Sequence, residues 1–206
     1  MRIITHRGLW LNPDERNTKA AFMRAFDAGL GAEIDVRDLA GDLVVSHDPP
    51  LPGSLRLTEV LELHAAAGQP GELAINVKAD GLCDALTAQM STTPRWSAFD
   101  MSIPDTLQYR RAGAPYLARQ SEHEPSPVLY EQASGVWLDC FEGEWFSEAL
   151  VSQHLDAGKR VTIVSPELHG RDHMTAWQSW RAWTIRDHAD LAICTDHPLD
   201  ARSVLG

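Results

Sequence analysis

A chain of 206 residues, 44% hydrophobic and 23% charged, has the make-up of a soluble globular domain and is long enough to bury most of its apolar surface without staples. Its formal net charge of −11 repels phosphate backbones and anionic lipid at long range, which argues against nucleic acid as a partner and against stable membrane association. The three cysteines, Cys83, Cys140 and Cys194, are odd in number, widely spaced and set in apolar runs, so the expectation is reduced core thiols and a cytoplasmic location.

Met1 leads straight into a strand-like run, so no secretion signal is expected, and no apolar run is long enough to span a bilayer. That first run, residues 3–5, ends at His6 and leaves through Gly8, which permits a tight turn. Asn17 or Thr18 can cap a helix over about 19–28, with Ala21, Phe22, Ala25 and Phe26 on one face and Gly29 as the stop. A second strand over 32–36 is followed by a hairpin arm at 43–46, after the turn at Gly41 and Asp42. Pro49, Pro50 and Pro52 mark a loop, then a helix opens at Thr58 and stops at Gly68.

From there the pattern repeats. Strands are expected at 73–77, 96–99, 116–118, 136–138, 160–164 and 191–194, separated by helical stretches at 82–90, 104–112, 146–155 and 174–185. Residues 122–132 are proline-rich and support only a short helix, and the tail over 199–205 is a last turn or two. Trp177, Trp180 and Trp183 sit at helical spacing, a stripe that reads as core. Apart from the hairpin arm, eight strands alternate with helices and no repeat or linker divides them, which predicts an α/β chain folded as one (β/α)8 TIM-barrel domain over 1–206, with its site at the C-terminal rim of the strands.

On that reading the residue closing each apolar run lies on the catalytic rim. The set is His6, Glu33 with Asp35, Lys78 after Asn76, Asp100, Glu122, Asp139 with Glu142, Glu167 and Asp196. Strand side chains alternate, so Glu33 and Asp35 share a face, as do Asn76 and Lys78, and adjacent strands about 4.8 Å apart let the pairs converge. Carboxylate and amide oxygens suit one hard divalent cation, Mg²⁺ or Ca²⁺, while no histidine or cysteine spacing suits zinc. The competing arrangement is a buried ion pair of Glu33 or Asp35 with Arg7 or Lys78. An acidic chain acting on a phosphate ester needs a local positive field, which a bound cation would supply.

His6 and His47 together offer one group to accept a proton and one to donate it near neutral pH, as displacement at a phosphodiester requires. His64, His154, His173 and His188 fall on helices or their ends and are expected at the surface; His169 and His197 follow strand ends and carry no assigned role.

The ordered pieces His6-Arg7-Gly8, Glu15-x-Asn17-Thr18, Glu33-x-Asp35-Val36, Val44-Val45-Ser46-His47-Asp48, Val77-Lys78, Phe99-Asp100 and Thr195-Asp196-His197-Pro198 cover nearly the whole chain. Together they resemble the glycerophosphodiester phosphodiesterases, part of the wider group of phospholipase-C-like phosphodiesterases built on a TIM barrel. The resemblance implies metal-dependent cleavage of a small-molecule phosphodiester, with His6 and His47 as the acid/base pair, Glu33 and Asp35 as metal ligands, and Arg7 and Lys78 on the phosphate oxygens. A neighbouring glycerol hydroxyl would attack phosphorus first, and water would open the resulting cyclic phosphate. Asp48 is expected to orient His47 or cap its loop.

Three departures stand out. Asn76 replaces the usual acidic third ligand, so a rim acid such as Asp100 or Asp139 would have to compensate; Arg16 is an extra residue between Glu15 and Asn17; and the segment over 49–57 is short. Two alternatives remain beside the hydrolase: a lyase-type member releasing the cyclic phosphate, and a non-catalytic barrel that binds a phosphorylated ligand.

Overall fold

The computed structural model describes all 206 residues. Its fold class is α/β, a (β/α)8 TIM barrel, with parallel strands in the order β5-β4-β2-β1-β9-β8-β7-β6 and a ninth strand, β3, paired to β2 off that path. The backbone has no cis peptide bond. By the packing of its Cα trace the chain divides into two compact units: Thr5–Tyr116, and Leu117–Gly206 together with Met1–Ile4.

The first unit takes up the end of β1 (Arg2–His6), then α1 (Lys19–Asp27), β2 (Gly31–Leu39), β3 (Asp42–Val45), α2 (Leu57–Ala66), β4 (Leu73–Val77), α3 (Cys83–Gln89), β5 (Trp96–Phe99) and α4 (Ile103–Ala112). Helix α1 starts where Thr18 Oγ1 accepts the N–H of Ala21, and it buries Ala21, Phe22, Ala25 and Phe26, the face read from the sequence. Strand β2 is buried along its first six residues, as a strand covered on both faces must be. It pairs in parallel with β4, Asp35 opposite Asn76, and β4 pairs with β5. Strand β3 is the expected hairpin arm, antiparallel to β2 with Val36 opposite Val45. Tyr116 bridges to Ala98 of β5.

Two glycine contacts fix the N-terminal end of this sheet. A Cβ on Gly71 would stand 2.3 Å from the backbone nitrogen of Gly31, and one on Gly31 would stand 2.4 Å from the carbonyl oxygen of Glu72. The strands can therefore approach there only without side chains.

The second unit contains β6 (Leu117–Gln120), β7 (Gly135–Leu138), α5 (Glu148–Asp156), β8 (Arg160–Val164), α6 (Met174–Arg181), β9 (Leu191–Thr195) and α7 (Pro198–Leu205). Its strands pair in parallel from β6 to β9. Helix α6 stops at Arg181 rather than near residue 185. Two of the three expected stripe residues are core: Trp177 and Trp180 are fully buried, and their indole N–H groups donate to Ser165 Oγ at 2.9 Å and Glu144 Oε1 at 2.7 Å, whereas Trp183 lies past the end of the helix and is only half-buried. Cys83, Cys140 and Cys194 are free, buried thiols.

Two histidines expected at the surface are core residues. His64 is 1% exposed and His154 6%. His64 lies on the stripe of α2 that buries Leu57 and Val60, its ring edge-on to Phe26 and its Nε2 3.0 Å from the Pro70 carbonyl. His154 follows Val151 on the buried face of α5 and is held between the Tyr130 hydroxyl and Gln120 Oε1 at 2.9 and 2.8 Å. Each satisfies its polar atoms locally, which is the condition for burying them. Burial lowers the pKa of both rings.

Candidate active site

The C-terminal end of β1 turns sharply. Arg7 and Gly8 both take left-handed conformations, at φ 60° and 87°. For Gly8 the reason is twofold, since a Cβ there would also lie 2.8 Å from the carbonyl carbon and Cβ of Ala21. For Arg7, a non-glycine residue, the conformation carries strain of about 1 kcal/mol or more. It is held by two backbone bonds: Arg7 N–H donates to Glu33 Oε2 at 3.2 Å, and Arg7 carbonyl accepts from Asn17 N–H at 3.0 Å.

Asp35 is the centre of the arrangement. It is fully buried, and Arg7 Nε reaches its Oδ2 at 2.8 Å, Lys78 Nζ its Oδ1 at 3.4 Å, while Asn17 Nδ2 donates to Oδ2 at 2.8 Å. The ion pair weighed from the sequence as the competing arrangement is thus formed, and on Asp35. Lys78 is set beside it because its N–H continues the β2–β4 ladder to the Val36 carbonyl at 2.9 Å. Asn17 is the contributor that the sequence reading placed only as a possible cap of the first helix, a role that Thr18 takes instead. The signal available for it was its place in the Glu15-x-Asn17-Thr18 element, and its left-handed φ of 59° belongs to the few residue types that accept it.

Glu33, 1% exposed, sits in the same network. Burial first, and the Asp35 carboxylate second, raise its pKa to about 7, against the pull of His6, Arg7 and Lys78. His6 therefore lies within electrostatic reach of Glu33. Asn76, opposite Asp35 on β4, is 8% exposed, and its Oδ1 is buried without a hydrogen-bond donor.

His47 enters from the hairpin. Ser46 N–H donates to the Asp35 carbonyl at 3.0 Å, and the His47 carbonyl accepts from Arg37 Nε at 3.0 Å, so the backbone on both sides of the turn is tied to β2. The imidazole is half exposed, with Nδ1 2.9 Å from Asp48 Oδ1. Asp48 is therefore placed where it contacts the His47 ring. Glu15 has a scaffolding place: its carboxylate accepts from Leu11 N–H at 2.9 Å and from the Arg24 guanidinium, and the first of these contacts is the main cause of its lowered pKa. The extra residue Arg16 lays its guanidinium 4.5 Å from the centre of the Trp10 ring, and Trp10 Nε1 donates to the His6 carbonyl. Asp100 closes β5 in a left-handed conformation.

The other rim acids belong to the second unit and have partners of their own. Asp139 Oδ1 is 2.6 Å from His169 Nε2 and accepts the N–H of Cys140. Glu167 accepts from the hydroxyls of Ser165 and Thr195 and from the N–H of Asp196. His169, unassigned from the sequence, is therefore a partner of Asp139. Glu122 accepts the N–H of Glu142 at 2.6 Å.

Nowhere do three histidine, cysteine or carboxylate side chains gather as a ready-made metal site. In the first unit the groups fit a cation in another way: two buried carboxylates, of which Asp35 stands close enough to raise the proton affinity of Glu33, and one buried amide oxygen without a donor.

No protein-family model matches the chain, and no curated protein does. Solved structures do. A phosphodiesterase of Oleispira antarctica in complex with its product sn-glycerol-3-phosphate superposes with a TM-score of 0.67 at 16% identity, over 100% of this chain and 96% of that one. A glycerophosphodiester phosphodiesterase of Agrobacterium tumefaciens gives 0.66 at 17% identity, over 98% and 99%. The chain has the fold of the glycerophosphodiester phosphodiesterases. A dihydropteroate synthase of Xanthomonas albilineans also shares it, with a TM-score of 0.53 at 13% identity over 98% of this chain and 90% of that one, so the fold is common to phosphodiesterases and to enzymes of other chemistry.

Proposed function

We propose that this protein is a phosphoric diester hydrolase cleaving a glycerophosphodiester or a related small alcohol phosphodiester. The observation that carries the reading is the arrangement at Asp35: two cationic side chains, Arg7 and Lys78, and the Asn17 amide converge on one buried carboxylate beside a second, Glu33. Two basic groups fixed at a strand end suit the non-bridging oxygens of a phosphate, and the ordered histidine motifs distinguish this site from the others the fold supports.

Glu33, Asp35 and Asn76 would hold one divalent cation, Mg²⁺ or Ca²⁺, and that cation would supply stabilisation of the charge that builds on the phosphoryl oxygens. Arg7 and Lys78, now paired with Asp35, would hold the non-bridging phosphate oxygens. His47, whose Nδ1 faces Asp48, presents Nε2 for proton exchange; His6 serves the opposite oxygen, one ring taking the proton of the attacking hydroxyl and the other giving one to the leaving alcohol.

Phosphorus NMR of the protein with a panel of glycerophosphodiesters, in Mg²⁺, in Ca²⁺ and in chelator, tests this. The expected outcome is a monoester signal that needs the cation, and its loss by at least 100-fold in His6→Ala and in His47→Ala with unchanged melting. A persistent cyclic phosphate would mark a lyase. Turnover that survives chelation would remove the cation, and silence with every substrate would leave a phosphate-ligand binder.

A further inference from the structure

In the first unit, the buried side-chain oxygens without a hydrogen-bond partner fall into two groups. One is the candidate site itself, with Asn17 Oδ1, Asp35 Oδ1 and Asn76 Oδ1. The other, with Thr87 Oγ1, Gln89 Oε1, Asp105 Oδ2 and Tyr109 Oη, lies wholly on α3 and α4. Buried polar atoms are nearly always paired, so several orphans in one place point to a partner that is not part of the chain.

Asp105 is the centre of the second group. Only 5% exposed, it is the third residue of α4, and its N–H donates to the capping Ser102 hydroxyl at 3.3 Å. A carboxylate at that position ordinarily reaches back to the capping residue. Asp105 Oδ1 instead accepts the N–H of Gly81 at 3.0 Å, which ties the turn before α3 to the start of α4. Its Oδ2 meets no donor, and no lysine or arginine pairs with it.

One turn further along α4, Tyr109 is fully buried with its hydroxyl unpaired. Burial first, then the nearby Asp105, Cys83 and Asp80, push the phenol above its ordinary range, and no basic neighbour counters them. Burial, and in lesser part Asp84 and Asp105, raise the Cys83 thiol of α3 as well. The two helices thus meet across acidic groups alone, around a carboxylate whose burial without a counter-charge costs several kcal/mol. A cation supplies that charge. Ca²⁺ takes about 6–8 oxygens and Mg²⁺ keeps several waters, whereas the buried set offers one carboxylate and neutral oxygens, which match a single positive charge.

We propose that a monovalent metal cation, Na⁺ or K⁺, binds between α3 and α4, held by Asp105 Oδ2 and Tyr109 Oη. It fastens the connection between β4 and α3, which begins at Lys78, to the first turns of α4. The site stands on these two helices and does not depend on the phosphodiesterase reading.

Melting curves in the chloride salts of Na⁺, K⁺ and tetramethylammonium, at one ionic strength and in a sodium-free chelator, test it. Tetramethylammonium is too large for a buried site. The wild type is expected to melt about 3 °C higher in Na⁺ or K⁺ than in tetramethylammonium, the better of the two being the ion bound. Asp105→Asn, which keeps an oxygen for the Gly81 N–H, and Tyr109→Phe, which removes one unpaired oxygen, are each expected to melt alike in all three salts. The second variant serves if the first does not fold. A wild type that melts alike in the three salts overturns the proposal, since a buried water then fills the place. An increment that either folded variant retains overturns it too, since the ion then binds elsewhere.

Discussion

At the scale of single residues the site is a balance of buried charge. Two carboxylates, Glu33 and Asp35, face two cations, Arg7 and Lys78, and a buried charge loses several kcal/mol when its partner is removed. Asn17 tightens that balance by donating to Asp35. Asn17→Ala removes the donor and places a less tolerant residue at φ 59°, and we expect it to cost about 1–3 kcal/mol of stability. Turnover should fall at least tenfold, which the Asp35 contact alone explains if kcat drops more than KM rises. Asp48→Asn should leave the melting temperature within about 1 °C, since its carboxylate is 87% exposed, while lowering kcat by about tenfold through a less well oriented His47 ring. Equal kcat in that variant would show that the Nδ1 contact does not position the ring.

At the scale of elements, close approach governs the frame. The β1 turn can pack on α1 only because Gly8 lacks a Cβ, and Leu9 N–H then donates to the Ala21 carbonyl at 2.9 Å. Gly8→Ala combines a left-handed φ with a contact shorter than van der Waals distance, so we expect a loss of about 2–4 kcal/mol, or roughly 5–12 °C in melting temperature for a domain of this size. Much of the element pattern was legible beforehand because it rests on local periodicity: the buried face of α1, the hairpin at β2–β3 and the burial of Trp177 and Trp180 on α6 all follow from spacing, while Trp183 falls past the helix end. The placement of His64 and His154 was not, although each lies on its helix's buried stripe. Their residue type suggested the surface, and their partners, the Pro70 carbonyl, Tyr130 and Gln120, are remote enough in sequence that no local pattern names them. In the site, the strand-end motifs pointed to Glu33, Asp35 and Lys78, but the role of Asn17 depended on how the loop before α1 returns to β2.

At the scale of the whole molecule, pH acts on stability in two opposed ways. His64 and His154 have folded pKa values below the ordinary 6.5, so the unfolded chain binds protons more readily. Their contribution is complete above about pH 6.5 and is lost as pH falls through the window below it. Glu33 has the opposite sign: raised from 4.5 to about 7, it favours the fold while protonated, and that contribution is lost as pH climbs between those values. Chemical denaturation across pH should therefore show stability declining on the acid side in a way that Leu substitution of either histidine alters. Glu33→Gln, which cannot ionise, should be more stable than the wild type at pH 8 by about 1–3 kcal/mol while inactive. A variant no more stable at pH 8 would mean that the ionised Glu33 is fully compensated by its cationic neighbours.

The strand order places β1 between β2 and β9. The strand that delivers His6 is thus made first, yet one of its two flanking strands is the last to be made. During synthesis that edge stays open, with its backbone donors and acceptors unspent, until Leu191–Thr195 has emerged. A chain cut before that point keeps His6, His47, Arg7, Lys78, Glu33 and Asp35 but presents a bare strand edge, the kind that recruits other chains. Loss of the last strand should consequently be felt as aggregation before it is felt as lost chemistry, although none of the proposed catalytic groups lies on it.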